Sequence, residues 1–339
     1  MKNLAWVINY PSRGEYNPDC LRLEERAMRA LENNEILVKT FLISLDPTSR
    51  NWLKLEPSST FLPLAVGDVM IGQAVGIVEK SNSPDFAPGE LVKGLWGWEN
   101  YSVANPMYLE KIPKSTTVPL EAYLSIFSHV GRAAALGLFE VGKLKPNDVV
   151  VVSGAAGATG SLAAQMAKAQ GNRVIGIAGS DEKTDILINE FGLDAAINYK
   201  TENVRDALAR HCPDGIDLYF DNVGGEILDA VLANMAVGCR IAICGAMSQY
   251  DLANEAAAYG CKNLPEVLFR RASIQGYVVP DFMQSMGQID AILSGFYQSG
   301  KILHRSHVIE GLEAAPEALR HVLRGTNEGK LMVRVSAIS

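Results

Sequence analysis

The chain has 339 residues, more than one ordinary core accommodates, so two domains are expected. Its 48% hydrophobic and 20% charged residues are those of a folded soluble protein, and a net charge of −7 argues against a general nucleic-acid surface. No run of about 18 apolar residues offers a membrane span, and MKNLAWVINYPSRGEY, whose apolar run is broken by Asn9 and Pro11, is unlike a signal peptide, so the expected location is the cytoplasm.

Residues 1–120 consist of short apolar runs between glycines and prolines, such as EILVKTFLISLD, QAVGIVEKS and GELVKGLWGWENYSV, a spacing that predicts an antiparallel sheet or barrel. The one helical hint there is a turn near Leu21–Leu31. Trp96 and Trp98 flank Gly97 on one face of a strand, lining a cleft or packing a core. From Pro119 the pattern changes, and LEAYLSIFSHVGRAAALGLFEVG reads as a helix on which His129 has a structural place. From Lys145 strands alternate with helices such as Ser161–Gln170 and Glu226–Met235. The expected strands are Val149–Ser153, Arg173–Ala178, Ala195–Tyr199, Ile216–Asn222, Arg240–Cys244 and Ser273–Val278. That alternation predicts an α/β class with a doubly wound domain of six parallel strands in the order 3-2-1-4-5-6. Residues 301–339 read as strand, helix, strand and are expected to return to the first domain, giving the organisation 1–120, 121–300 and 301–339.

The five cysteines, Cys20, Cys212, Cys239, Cys244 and Cys261, are odd in number and scattered, against a disulfide framework. Cys239 and Cys244 stand five positions apart on a strand, hence on opposite faces, and no CxxC or HExxH occurs, so no metal is expected.

The chemistry-bearing stretch is VVVSGAAGATGSLAAQMAK, residues 150–168. An apolar strand leads into Gly154-Ala155-Ala156-Gly157-Ala158-Thr159-Gly160 and then a helix. Gly157 lets the backbone approach a pyrophosphate, Gly160 lets the helix pack on the strand, and the helix N-terminus offers N–H groups and a positive dipole end. Ala155 stands where the first glycine is usual, which is tolerable if that position needs no positive φ. A turn that serves only the fold is the competing reading. At the tip of the second strand, Ala178-Gly179-Ser180, no carboxylate stands ready for a ribose 2′-hydroxyl, and Lys183 follows within one helical turn. This favours NADP(H) over NAD(H), the alternative being that Lys183 is a solvated surface lysine; Asp181 and Glu182 are taken to point outward.

Together AAGATGS, AGSDEK, INYKT, DLYFDNVGGE, RIAICGAMSQY and GTNEGK, with SLDPTSR and GDVMIGQ before them, resemble the zinc-free medium-chain dehydrogenases/reductases. Within them the chain is similar to the leukotriene B4 dehydrogenase/prostaglandin reductase group and its bacterial NADPH-dependent double-bond, curcumin-type reductases. The resemblance covers nearly the whole chain. It implies a GroES-like β-barrel catalytic domain, a Rossmann domain, an active-site cleft between them, and NADPH-driven reduction of the C=C bond of α,β-unsaturated aldehydes or ketones. It assigns Gly157, Ala158, Thr159 and Gly160 to the pyrophosphate, and Gly179, Ser180 and Lys183 to the 2′-phosphate end. Tyr199 falls beside the adenosine, and Asn222, Cys244, Gly245, Ala246, Tyr250, Gly276, Tyr277 and Val278 fall along the nicotinamide half; Asn327 reaches back to the cofactor. Met70 and Gln73 fall on a pocket loop, with core packing an equal reading for Met70. The family's DPYMR is DPTSR here, so Thr48 stands at a substrate position where a tyrosine is usual, and no role of that tyrosine carries over.

Without a metal, the enolate oxygen formed by conjugate reduction needs a hydroxyl, an amide or the cofactor's ribose as donor. Tyr250 is the candidate catalytic residue, beyond the fifth strand's carboxyl end where ligands bind in such sheets; packing against the riboside is the alternative. A quinone reductase of the same superfamily and a non-catalytic NADPH-holding sensor remain rival functions. The expected partners are a small enone or enal and a second copy of the chain, since pairing the exposed edge near Ser273–Val278 would hide unpaired backbone groups. The loops Leu53–Pro63 and Asp251–Asn263 are expected to shape the pocket.

Overall fold

The computed structural model describes residues 3–54, 62–252 and 257–337; of the two pocket loops, residues 55–61 and 253–256 lie outside the described residues. In chain order come β1 (Asn3–Ile8), β2 (Leu21–Arg26), β3 (Ile36–Ser44), a single helical turn α1 (Ser49–Trp52), β4 (Ile71–Ser81), β5 (Leu91–Gly97), β6 (Tyr101–Ala104) and β7 (Leu109–Lys111). Then follow α2 (His129–Ala135), β8 (Val149–Ser153), α3 (Ala158–Ala169), β9 (Arg173–Ala178), α4 (Asp181–Asn189), β10 (Ala195–Asn198), α5 (Val204–His211), β11 (Ile216–Asp221) and α6 (Gly225–Leu232). The chain ends with β12 (Met235–Ile243), α7 (Glu266–Arg270), β13 (Ser273–Gly276), α8 (Met286–Gln298), β14 (Ser306–Glu310), α9 (Ala315–Leu323) and β15 (Lys330–Arg334).

Two units form, one from Met1–Leu124 with Ser306–Ser339, the other from Ser125–Arg305. In the first, a sheet runs β14-β15-β3-β4-β5-β7 with β6 also on β3, beside an antiparallel β1–β2 pair. Only β14–β15 is parallel. β3, ILVKTFLIS, is apolar and buried along nearly its whole length because it has neighbours on both edges. Its ladder with β4 shifts register around Thr40–Leu42, and a Cβ at Gly76 would lie 2.3 Å from the Lys39 carbonyl oxygen; glycine is what permits the sheet to bend this tightly there. The returning segment packs into the same core through Leu312, Ala315, Leu319 and Leu331, and Tyr16 Oη donates to the Pro316 carbonyl at 3.0 Å. Trp96 and Trp98 both face this core, Trp96 Nε1 donating to Thr40 Oγ1 at 3.1 Å.

In the second unit six strands lie parallel in the order β10-β9-β8-β11-β12-β13, the expected 3-2-1-4-5-6. Alternation sorts the side chains to two faces. Val150, Val152 and Phe220 join α2, α3 and α8 on one, and Val151, Tyr219 and Ile241 join α5 and α6 on the other. Cys239, on β12, belongs to the second face, and Cys244, just past the strand's end, packs on the first.

Three local expectations are corrected. Leu21–Arg26 is a strand paired with β1, because LRLEER alternates a buried or half-buried leucine with exposed polar residues. The helix expected from Leu120 is broken. Leu120–Leu124 is a 3₁₀ turn, the chain folds back, and Ser128 Oγ caps α2 by accepting the Val130 N–H at 3.1 Å. A Cβ at Gly131 would sit 1.9 Å from the Ile126 carbonyl oxygen, so only glycine fits that fold-back. Leu136–Val141 then widens into a π turn, with the Gly142 N–H donating to Gly137 five residues earlier. Finally β13 stops at Gly276, leaving Tyr277 and Val278 beyond the sheet.

Candidate active site

The carboxyl end of β8 carries the glycine turn. The left-handed residue is Gly154, φ +57°, one position before Ala155. Ala155 is fully buried, its N–H donates to the Ile177 carbonyl at 3.0 Å, and Gly176 on β9 makes room for it: a Cβ there would lie 3.0 Å from that of Ala155. The alanine is therefore compensated, and the positive φ is supplied by its neighbour. Gly157 is the N-cap of α3 in an extended conformation and gives no side-chain cap. α4 and α5, by contrast, are capped by Ser180 and Asn203. A 12-residue helix thus opens with the backbone of Ala158, Thr159 and Gly160 where an anion can be taken up. Gly160 is fixed by sterics, since a Cβ there would lie 2.3 Å from the Gly154 carbonyl oxygen.

At the tip of β9 the ring of Tyr199 lies against Gly179, whose Cβ would come within 2.9–3.1 Å of it; Tyr199 itself is 44% exposed. Ser180 is committed to capping, accepting the Lys183 N–H at 3.3 Å. Of the two acids taken to point outward, Asp181 instead accepts Asn198 Nδ2 at 2.7 Å, which fastens the start of α4 to the end of β10. The Glu182 carboxyl is held below the usual carboxylate range by its own backbone N–H and then by the Ser180 hydroxyl. Both acids are thus engaged locally, Asp181 by Asn198 of β10 and Glu182 at the Ser180-capped start of α4.

At the tips of β8 and β11 one buried carboxylate organises the backbone. Asp221 Oδ1 accepts from Ser153 Oγ at 2.9 Å, Tyr219 Oη at 2.7 Å, and the Val223 and Gly224 N–H groups at 2.9 Å each. Asn222 is pinned in turn, its N–H to Ser153 Oγ and its Nδ2 to the Ser153 carbonyl at 2.7 Å. The Asp221 carbonyl accepts the N–H of Cys244 and of Gly245, drawing in the segment after β12. Asp221 and Ser153 were not among the sequence candidates; DNVGGE was recognised as a motif, but no local pattern shows that its aspartate turns inward.

Tyr250 Oη accepts the Ala246 N–H at 3.0 Å, closing its own loop, and the proton on that oxygen remains a donor. Burial, more than its backbone partner, sets this phenol above its ordinary pKa. Tyr277 turns the other way. Its hydroxyl donates to the Ala133 carbonyl at 2.7 Å over Gly137, where a Cβ would sit 2.2 Å from Tyr277 Oη. Burial pushes that phenol far up and the Cys244 thiol to about 11. Burial likewise raises Cys20 and Cys212 to about 11 and Cys239 to about 12, and raises Cys261.

Residues 157–160, 179–183, 199, 222, 244–250 and 276–278 therefore all follow carboxyl ends of parallel strands on one edge of this sheet. In the other unit Thr48 precedes α1 half-exposed, with no side-chain cap bond, and Asn327 Nδ2 donates to the Gly329 carbonyl at 2.8 Å. Gln73 is on β4 opposite Leu95. Met70 is not on a pocket loop surface: it is fully buried in the core, its N–H bonded to Trp6 and its carbonyl to Trp98. Among the described residues no three His, Cys, Asp or Glu side chains are grouped to hold a metal ion.

Two family models match in tandem, the N-terminal domain of oxidoreductase over residues 5–112 and zinc-binding dehydrogenase over 158–293. With these and with relatives that align from end to end, the chain belongs to the medium-chain dehydrogenase/reductase family and is an oxidoreductase. Its relatives fall in the alkenal, curcumin and prostaglandin reductase group. It is 39% identical to the NADP(+)-dependent 2-alkenal reductase of Nicotiana tabacum, over 98% of this chain and 95% of that one. It is 33% identical to the NADPH-dependent curcumin reductase of Escherichia coli (strain K12), over 99% and 97%. The crystal structure of CurA in complex with NADPH from Vibrio vulnificus superposes with a TM-score of 0.93 at 32% identity, covering 99% of this chain and all of that one. The zinc in the second model's description has no fitting ligand set among the described residues.

The glycine geometry separates two neighbouring substitutions. Gly160→Ala forces the turn open against the Gly154 carbonyl and should destabilise by about 1–3 kcal/mol in urea unfolding. Gly157→Ala, with its Cβ 3.1 Å from the same oxygen, should cost less than about 1 kcal/mol. Equal losses would show that the helix does not approach the turn this closely.

Proposed function

We propose that the protein is an NADPH-dependent reductase of the C=C bond of α,β-unsaturated ketones or aldehydes, working without zinc. The observation that carries the reading is the carboxyl edge of the parallel sheet: a helix with no side-chain cap behind a glycine turn, and a second-strand tip, Ala178-Gly179-Ser180, that carries no carboxylate and leads into Lys183 on α4. The near full-length likeness to named alkenal and curcumin reductases supports the same chemistry.

In this reading the N–H groups of Ala158, Thr159 and Gly160, with Gly157 before them, hold the pyrophosphate. Tyr199 and Gly179 wall the adenosine, and Lys183 with the backbone at Ser180 takes the 2′-phosphate. Asn222, the 244–246 backbone and residues 276–278 border the nicotinamide half, Tyr277 as a buttress through its bond to α2. Asn327 completes the cofactor contacts; Thr48 and Gln73 face substrate, and Met70 supports them by packing. Bound NADPH supplies the hydride. The enolate oxygen that develops on the substrate takes the proton-bearing side of Tyr250 Oη, whose lone pair is already satisfied by Ala246. The chain is also read as a homodimer. Among the described residues β13 has no second neighbour in the sheet, its residues are all exposed, and Ile274, Leu268 (73% exposed) and Phe269 lie exposed on it and on α7.

Lys183→Ala should weaken NADPH binding about 10- to 100-fold and leave NADH within about twofold, read by fluorescence titration; equal losses for both would remove Lys183 from the 2′-phosphate. An enone supplied with NADPH should yield the saturated ketone, at a rate unaffected by exhaustive chelation. Tyr250→Phe should lower kcat and kcat/KM together with NADPH affinity intact. Recovery of an allylic alcohol, or turnover of quinones alone, would defeat the alkene-reductase reading. Ile274→Lys should convert a dimer to a monomer in sedimentation; a wild-type monomer at micromolar concentration would refute the pairing.

A further inference from the structure

In the unit built from residues 1–124 and 306–339, two distant segments meet at one buried ion pair. Lys330, the first residue of β15, pairs through Nζ with Asp46, 284 positions earlier in the chain. Lys330 is 2% exposed and Asp46 7%. Nζ also donates to the Leu45 carbonyl at 3.1 Å, and Ser44 Oγ donates to the other Asp46 oxygen. Sheet register does not need this pair, since Met332, Val333 and Arg334 already face Ser44, Ile43 and Leu42, and the Leu45 N–H bonds Leu331. A hydrophobic pair of like volume would commonly serve stability as well or better, because desolvating two charges is costly.

What the pair fixes lies beyond the end of the ladder, on both strands. After Asp46 the chain turns through Pro47 and Thr48, with the Ser49 N–H on the Asp46 carbonyl at 3.0 Å. It is held again at buried Arg50, whose guanidinium donates to the carbonyls of Ser12 and Gly14. Thr48 stands half-exposed between two anchored charges. Before Lys330 the loop 325–329 turns at Gly325 and Gly329, φ +63° and +64°. Its far end is tied to α9 by the Thr326 N–H on the His321 carbonyl and by His321 Nδ1 against Thr326 Oγ1 at 2.8 Å. Asn327 is half-exposed within it, its amide on Gly329.

We infer that the Asp46–Lys330 ion pair is a positioning device of the active site, holding the Thr48 turn and the Asn327 loop in one fixed relation. The inference rests on the proposed reading of Thr48 as a substrate contact and Asn327 as a cofactor contact. The test is the double variant Asp46→Asn/Lys330→Met, which removes both charges together, keeps an acceptor for Ser44 Oγ and fills the lysine stem. Lys330→Met alone strands a buried carboxylate and serves as the unfolding control. In hydrogen exchange without ligand, segments 46–50 and 325–329 of the double variant should exchange about tenfold faster or more, with residues 36–44 unchanged. KM for NADPH and for an enone should each rise about 3- to 10-fold, with kcat within about twofold. Loosening of one segment alone, uniform loosening of the unit, or loosening of both with unchanged KM values would each overturn the inference. Absence of NADPH-dependent enone turnover in the wild type would instead overturn the proposed function, and the exchange result would still decide whether the two segments are coupled.

Discussion

A carboxylate with no access to water needs donors, and Asp221 gathers four hydrogen bonds on Oδ1, while its Oδ2 is buried with no partner among the described residues. Two of the donors are side chains on β8 and β11, and two are backbone groups of the turn into α6. The same residue's carbonyl collects the backbone after β12. Three strand ends are thereby fixed to one another at the edge where every candidate residue of this unit is carried. Because the strands beneath are apolar and buried on both faces, they set depth and order but leave the exit directions open. The aspartate supplies those directions. The turn at Gly224 and Gly225, φ +69° and +60°, follows from the two N–H groups folding back onto it.

The parts of the fold visible in the sequence were those with a strong local signal. Val149–Ser153 and Arg173–Ala178 are apolar apart from Ser153 and Arg173 and are each followed by glycine, and both were read to the residue. Their order in the sheet follows from handedness and alternation, which need no long-range information. The glycine turn was legible for the same reason, and Ala155 was readable as tolerable but not as compensated. Its room comes from Gly176, on a different strand.

What was illegible depends on contacts far apart in the chain. The π turn at Gly137 makes room for the Tyr277 hydroxyl, so this glycine inside a helical pattern is a clearance for a residue far later in the chain. Asp181 reads as a surface acid until β10 places Asn198 beside it. Met70 has the character of a flexible pocket lining, and its backbone bonds to Trp6 and Trp98, both distant in the chain, seat it in the core. Asp46 and Lys330 each resemble a surface charge next to a turn; only the antiparallel pairing of β3 with β15 reveals that they share one buried site.

The cysteines acquire a meaning from the chemistry proposed for the chain. An α,β-unsaturated carbonyl is a Michael acceptor, and the group in a protein that it alkylates fastest is a thiolate. Cys20, Cys212 and Cys239 are sealed within the cores, and Cys244, at the sheet edge assigned to the nicotinamide, is held near 11. Under the proposed chemistry, a thiol kept protonated by burial at that edge is a poor target for the enone or enal that the site would handle.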